Sequence, residues 1–199
     1  MTNQPWQNEP DLAELARLYA VLKSCPEDAL PGLRSLAHRG SALSACYIAE
    51  TYKAGVVVAK DMDAAEHWYK FAEHLGHTPA THNLWWIYEE QGNLQLAVQK
   101  LKEGVVKEYP PSMYQLARHM YFGIGMPKSS GNHEYIELLR RGGKKGHILC
   151  RAWLARMYLV GRFGWVRAAW GIIMIFSMLI DVVRLWRKPP DKFTDHYVG

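Results

Sequence analysis

A chain of 199 residues with 49% hydrophobic, 12% aromatic and 22% charged side chains holds enough apolar material for one sizeable core or a short run of repeats, which excludes a disordered polymer. Its 16 glycines and 10 prolines follow no collagen-like period, and Cys25, Cys46 and Cys150 are too few and too far apart for a disulfide framework or a zinc knuckle. The net charge of +5 conceals a gradient, because residues 1–110 hold 14 acidic and 10 basic side chains whereas residues 111–199 hold 5 acidic and 14 basic ones.

Residues 1–10 read as a tail. They contain no lysine or arginine and no apolar run, so they do not form a secretory signal, and the expectation is a protein body in the reducing cytosol.

From residue 11 the chain repeats itself. An aliphatic-x-x-x-Tyr pentad recurs as Leu15-Ala-Arg-Leu-Tyr19, Ile48-Ala-Glu-Thr-Tyr52, Leu84-Trp-Trp-Ile-Tyr88, Leu116-Ala-Arg-His-Met120 and Leu154-Ala-Arg-Met-Tyr158, the fourth copy ending in methionine. The spacings are 33, 36, 32 and 38 residues, and Gly55, Gly92, Gly123 and Gly161 follow four of the copies at three or four positions. Each pentad lies in an apolar stretch of helical spacing, followed by a breaker and a second such stretch, so the unit is a helix-turn-helix hairpin. In the second copy the spacing predicts one helix from about Ser41 to Lys53, ending at Gly55, and another from about Asp61 to Leu75. Asp61 or Asp63 can cap the second start and Gly76 its end. Ala64, Trp68, Phe71, Ala72 and Leu75 form one apolar stripe. A hairpin of this size leaves a face uncovered, which requires stacking on neighbours.

The run Tyr52-Lys-Ala-Gly55, Lys60-Asp61, Ala64-Ala-Glu-His-Trp68-Tyr-Lys-Phe-Ala72 and Gly76-His77 resembles the Sel-one-like repeat, a relative of the tetratricopeptide repeat. Gly123-Ile-Gly125 and Gly146-His147 resemble the same family's turn and closing pair. The resemblance implies an all-α fold, an α-solenoid of about five hairpins over residues 11–161 that binds protein partners on its concave face. It implies no reaction. Candidate partner-binding residues on the first helices are Tyr47, Trp85, Trp86 and Tyr114, each equally suited to the core.

Residues 162–188 depart from the repeat. Ala168 to Ile180 is uncharged, and a helix of that length reaches about 20 Å, short of the roughly 30 Å hydrocarbon layer. Extended to Phe163–Val183 it reaches about 31 Å, with Arg167 and Asp181 near its ends. Arg167, Gly171, Ser177, Asp181, Arg184 and Lys188 share a narrow stripe broken by Met174, and the rest of the circumference is apolar. Trp165, Arg167, Trp170, Ile172, Ile173, Phe176, Leu179 and Trp186 are the expected membrane contacts. The basic residues from Arg140 to Lys188 would add attraction to anionic lipid. Spanning and lying in the interface both stay open. Residues 189–199 form a second tail after Pro189-Pro190, which stops the helix.

Catalytic patterns are sparse. No phosphate-binding loop, nucleophile elbow or zincin motif occurs, and Cys46 and Cys150 sit where small core residues belong. Cys25, before Pro26 at a helix boundary, is the candidate for exposure.

The leading expectation is a non-catalytic adaptor or scaffold without cofactor, metal or small-molecule substrate. It would be held at the cytosolic face of the inner membrane by its C-terminal helix and would assemble a membrane-bound protein partner. Family analogy points to an enzyme of an envelope or polysaccharide pathway. The rivals are a soluble, metal-dependent enzyme built on His67, His74 and His77, and a nucleic-acid-binding solenoid using Arg140, Arg141, Lys144, Lys145, Arg151 and Arg156.

Overall fold

The computed structural model describes residues 9–56, 58–128, 133–159, 171–173 and 175–180. Every regular element among them is helical: α1 (Leu12–Ser24), α2 (Pro26–His38), α3 (Ala42–Ala54), α4 (Met62–His74), α5 (Thr78–Glu90), α6 (Leu94–Val106), α7 (Pro110–Phe122), α8 (His133–Lys144) and α9 (Ile148–Leu159). Residues 171–173 and 175–180 are helical as well. The first seven helices have 13 residues each and the next two 12. At 1.5 Å per residue all are close to 20 Å long, so successive helices cover one another without overhang.

The chain forms two compact units, residues 1–104 and 105–199. In the first, α1 packs on α2, α2 on α3, α3 on α4 and α4 on α5, each helix lying against the next in sequence. Leu15, Leu33, Leu36, Ile48, Tyr69, Leu84 and Ile87 fill its core. In the second unit α7 packs on α8, α8 on α9, and α7 also touches α9, around Met113, Tyr135, Leu139 and Cys150. This is the all-α, hairpin-by-hairpin architecture of an α-solenoid.

The local reasons are legible residue by residue. Asp11, Ser41 and Asp61 each turn a side-chain oxygen onto a backbone N–H of the first turn, at 2.9, 3.1 and 2.8 Å, which satisfies donors a helix start leaves open. Asp61 is thus the cap of α4, and Asp63 lies inside the first turn. Pro26, Pro79 and Pro110 stand at the first or second helical position, where a missing N–H costs nothing.

Left-handed glycines recur at the helix ends. Within a hairpin, Gly55 and Gly123 cap α3 and α7, with N–H bonds to Thr51 and His119 carbonyls at 3.2 and 2.8 Å. Between hairpins, the N–H groups of Ser41, His77 and His147 reach back to the carbonyls of Leu36, Ala72 and Gly142 at 3.0, 3.0 and 3.1 Å. That is the Schellman closure, and within hairpins the N–H groups of Asn93 and Ile124 make the same bond to the carbonyls of Tyr88 and His119 at 2.8 and 3.0 Å.

Two glycines serve contact as well as conformation. A Cβ on Gly142 would stand 2.5 Å from Cys150 Sγ, so α8 and α9 meet there at a distance only glycine allows. Gly55, at φ +62°, would place a Cβ 2.5 Å from Lys60 Cβ and 2.9 Å from its Cα.

Gly55→Ala therefore meets both a left-handed backbone and the Lys60 backbone, whereas Gly76→Ala at φ +85° meets open space. Thermal unfolding should show the larger loss for Gly55→Ala, about 2–3 kcal/mol against about 1 kcal/mol for Gly76→Ala. Equal losses would mean that the Lys60 contact relaxes freely.

Candidate site: an aromatic cleft between α7 and α9

The first helices of two successive hairpins, α7 and α9, enclose a cleft of about 590 Å³ in the second unit. From α7 come Tyr114, Arg118, Tyr121 and Phe122, and from α9 come Leu149, Ala152, Trp153, Arg156 and Met157. Helical spacing explains the selection, because residues three and four apart share a face.

Trp153 organises the wall. Its ring lies 5.7 Å from Tyr114 and 5.6 Å from Tyr121, both edge to face, and 6.3 Å from Phe122, stacked. Tyr121 also meets Phe122 edge-on at 4.9 Å and Tyr135 of α8 at 5.6 Å. Edge-to-face and offset pairs at these separations are the favoured aromatic geometries, so the wall is set before any ligand arrives. Phe122 and Leu149 remain 58% and 51% exposed at the rim.

Among the described residues the cleft lining contains two arginines and no acidic residue. Arg118 Nη1 donates to Gln115 Oε1 at 2.8 Å, a neutral acceptor. Arg156 is exposed and has no hydrogen bond or ion pair among the described residues. Both occupy the third position of their pentads, one repeat apart. The sequence carried this signal, in Leu-Ala-Arg opening the fourth and fifth pentads as well as the first, but the pentad reading used only the aliphatic and aromatic ends.

Of the residues expected to bind a partner, Tyr114 alone enters the cleft. Tyr47 and Trp85 lie in the first unit and are each 7% exposed. The Tyr47 ring stacks on Tyr19 at 4.7 Å and Trp85 lies against His82 at 5.3 Å. Trp86 is half-buried, with Lys53 Nζ 5.3 Å from its ring centroid.

Of the expected membrane contacts, Trp165, Arg167, Trp170 and Trp186 lie outside the described residues. Ile172, Ile173, Phe176 and Leu179 are described and are 50%, 56%, 62% and 55% exposed, beside Ile175 at 39% and Ile180 at 52%. The other side of this stretch packs on α9. A Cβ on Gly171 would lie 2.9 Å from the Ala155 carbonyl oxygen and 3.0 Å from Leu159 Cγ, and Arg151 Nη2 donates to Ser177 Oγ at 2.6 Å. The stretch that the sequence separates from the repeat thus supplies a second helix against α9. Arg151, Ala155, Tyr158 and Leu159 face it, on the side of α9 opposite Trp153 and Arg156. No helix of the described residues is long and apolar enough to cross a membrane.

The histidine reading finds no ligand set, since no group of three or more His, Cys, Asp or Glu side chains among the described residues could hold a metal. His67 lies edge-on to Trp68 at 5.6 Å, His74 closes α4, and His77 is buried at the start of α5. The helix ends at His74, and the Schellman turn carries His77 onto the next helix, which removes the shared helical face that a three-residue spacing would need. His147 and Cys150 do approach, with Sγ 3.2 Å from Nδ1, and the Cys150 N–H points at the same nitrogen at 3.4 Å. Burial pushes the thiol up to about 12 and the imidazole down, so thiolate and imidazolium are both disfavoured and the pair acts as a helix cap. Cys46 is likewise buried and held in the thiol form, while Cys25 is exposed.

No protein-family model matches the chain, and no curated protein matches it in sequence. Solved structures do. It is similar to c5321, a protective antigen present in uropathogenic Escherichia coli strains and displaying an SLR fold. The identity is 23% and the TM-score 0.63, over 74% of this chain and 33% of that one. It is also similar to a Sel1 repeat protein from Oxalobacter formigenes, at 20% identity and a TM-score of 0.66, over 76% of this chain and 63% of that one. The chain spans one third of the first and under two thirds of the second. The resemblance to the Sel-one-like repeat therefore holds at the level of the fold.

Burial lowers the His77 imidazole from the ordinary 6.5 to about 4. Above pH 6.5 it is neutral whether folded or unfolded. As the pH falls toward 4 the unfolded chain takes up a proton that the folded one refuses, so stability present above 6.5 is lost, by roughly 3 kcal/mol at most. Thermal unfolding of wild type and His77→Asn between pH 7 and pH 4 should give a steeper decline for wild type. Parallel curves would show that His77 does not set this dependence.

Proposed function

We propose that the chain is a non-catalytic adaptor, which takes a segment of a partner protein into the α7–α9 cleft while the outer face of the 171–180 helix rests on a lipid surface. The observation that carries the reading is the two-sidedness of α9. One of its faces walls a preformed aromatic recess, and the opposite face holds a helix whose outer side chains are Ile172, Ile173, Ile175, Phe176, Leu179 and Ile180. So many aliphatic side chains on one short helix exceed the scattered apolar residues of an ordinary surface, and such a patch calls for a partner phase.

Lipid suits this face because of its electrostatic setting. Nine basic and three acidic residues lie between 105 and 159, so the surrounding field attracts anionic headgroups while the apolar side chains enter the acyl boundary. Packing against α9 along Gly171 and Ser177 favours lying in the interface over spanning, since a spanning helix would have to give up those contacts. On this reading the body faces the cytosol, on the inner membrane, and the membrane-bound partner lies within reach. The fold shared with Sel1 repeat proteins supports a binding role over a catalytic one, by analogy of fold.

Sedimentation of the full chain with phosphatidylcholine vesicles, with and without phosphatidylglycerol, tests the tether. Wild type should pellet with the anionic vesicles, and Ile173→Asp/Phe176→Asp should lower the partition at least about a hundredfold, both positions being exposed in the folded chain. Wild type left in the supernatant, or a variant that pellets equally, would end the membrane part of the proposal.

A further inference from the structure

We infer that the α7–α9 cleft reads an acidic segment of its partner that carries a bulky apolar or aromatic residue among its carboxylates. The inference rests on the adaptor reading and adds to it the chemistry of the segment that is bound.

The first argument is charge. Arg118 and Arg156 line a cleft with no acidic side chain in its wall, Arg118 engages only the neutral Gln115, and Arg156 has no partner among the described residues. Elsewhere in the same unit three of the four basic side chains at the end of α8 meet a carboxylate, the exposed Lys144 being the exception among the described residues. Arg141 pairs with Glu108, Lys145 lies 3.4 Å from the same carboxylate, and Arg140 lies 3.8 Å from Glu137. Two guanidinium groups left without a carboxylate beside an aromatic wall are poised for an anion from outside. Their planar forks suit a carboxylate by paired N–H bonds.

The second argument is shape. The volume of about 590 Å³ falls in the range of a pocket for a few side chains. Trp153 lines the same recess as the two pentad arginines and lies against Tyr114 and Tyr121, so an apolar side chain seated on the indole would bring its neighbouring residues into the cleft that Arg118 of α7 and Arg156 of α9 share. Aromatic and arginine side chains in one recess are also the groups that dominate binding energy at protein interfaces.

Single-stranded nucleic acid uses stacking and arginine too. It is disfavoured because a backbone needs a track of cations leading away from the stacking site. Here Lys145 and Arg141 are engaged by Glu108, and the rim of the cleft is Phe122 and Leu149.

The experiment is a selection of a random peptide library on the full chain, followed by fluorescence anisotropy with the selected peptides and with two fixed probes. One probe is a labelled Gly-Glu-Glu-Phe-Glu-Glu-Gly peptide, and the other a labelled oligouridylate. The expected result is enrichment of sequences with glutamate or aspartate around an aromatic residue, and binding of the acidic probe in preference to its glutamine counterpart. Arg118→Gln and Arg156→Gln should each weaken that binding about tenfold or more, with unchanged helical circular dichroism. Arg118→Glu/Arg156→Glu should turn the preference toward a Gly-Lys-Lys-Phe-Lys-Lys-Gly peptide. This gain of binding separates recognition from loss of fold.

Selection of peptides that bind equally well after both arginine substitutions would overturn the cleft assignment and leave the adaptor reading standing. Failure to select any peptide would count against both. Binding of the oligouridylate with loss in either arginine variant would overturn the peptide assignment in favour of nucleic acid.

Discussion

The arrangement depends on one backbone contact, the hydrogen bond from the residue after a left-handed glycine to a carbonyl five residues earlier, made at the ends of α2, α4, α5, α7 and α8. Ser41 to Leu36, His77 to Ala72 and His147 to Gly142 are the same bond in three repeats, each between 3.0 and 3.1 Å. It closes the open carbonyls of one helix and delivers the chain, already reversed, to the first turn of the next. A solenoid has few contacts between distant residues, so its regularity has to be written into such junctions, and equal helix lengths with equal junctions produce equal steps. The inward-facing tyrosines, the short contact at Gly142 and the alignment of Arg118 with Arg156 all presuppose that the step is preserved.

Much of this was legible in the sequence, because junction chemistry is local. Gly55, Gly76, Gly123 and Gly146 announce left-handed caps, and Ser41 and Asp61 announce starts, by rules that need no knowledge of the neighbours. The second helices were readable in part: in α4 the expected stripe of Ala64, Trp68, Phe71, Ala72 and Leu75 shares Trp68 and Ala72 with the buried face, which Ala65 and Tyr69 complete. First helices were not. In α3 every residue from Ala42 to Ala49 is buried, so apolar side chains surround the helix and no stripe distinguishes the side that will line a cleft. That is why Tyr47, Trp85 and Tyr114 are alike in sequence and different in place. What marks the cleft is an arginine at the third pentad position in two successive copies, Arg118 and Arg156, whereas Arg17 of the first copy is followed by Glu50 in the second.

The charge gradient acquires a structural sense in the two units. In residues 1–104 the acidic side chains are largely engaged within the fold. Glu14 meets Arg39, Glu50 meets Lys53 and Tyr69, Glu66 accepts from Lys70, Tyr88 and Gln91, and Lys100 is shared between Glu73 and Glu103 at 2.8 Å each. Burial works to raise the Glu66 carboxyl, and those hydrogen bonds outweigh it and hold it low. Surface pairs of this kind add little stability one at a time, but several of these join helices of different hairpins and so fix register. In the second unit basic side chains outnumber acidic ones nine to three between residues 105 and 159, which leaves a net positive field on that part of the chain.

The position of α9 joins the two proposals mechanically. Trp153 and Arg156 stand on one face of this helix, and Ala155, Tyr158 and Arg151 on the other hold the following helix through the Gly171 contact and the Ser177 hydrogen bond. The recess and the apolar face therefore lie on opposite sides of α9, the apolar face being carried by the helix that packs on it at Gly171 and Ser177. If the apolar face lies on a membrane, the recess has a set orientation to it, and a partner segment is presented at a defined height and direction. That geometry limits which segments of a membrane-bound partner can reach the arginines, because reach is decided by the length of chain between the partner's own anchor and its acidic segment. Selectivity in such an adaptor would then come from two modest requirements met together, carboxylate chemistry in the cleft and distance from the lipid, with neither needing high affinity alone.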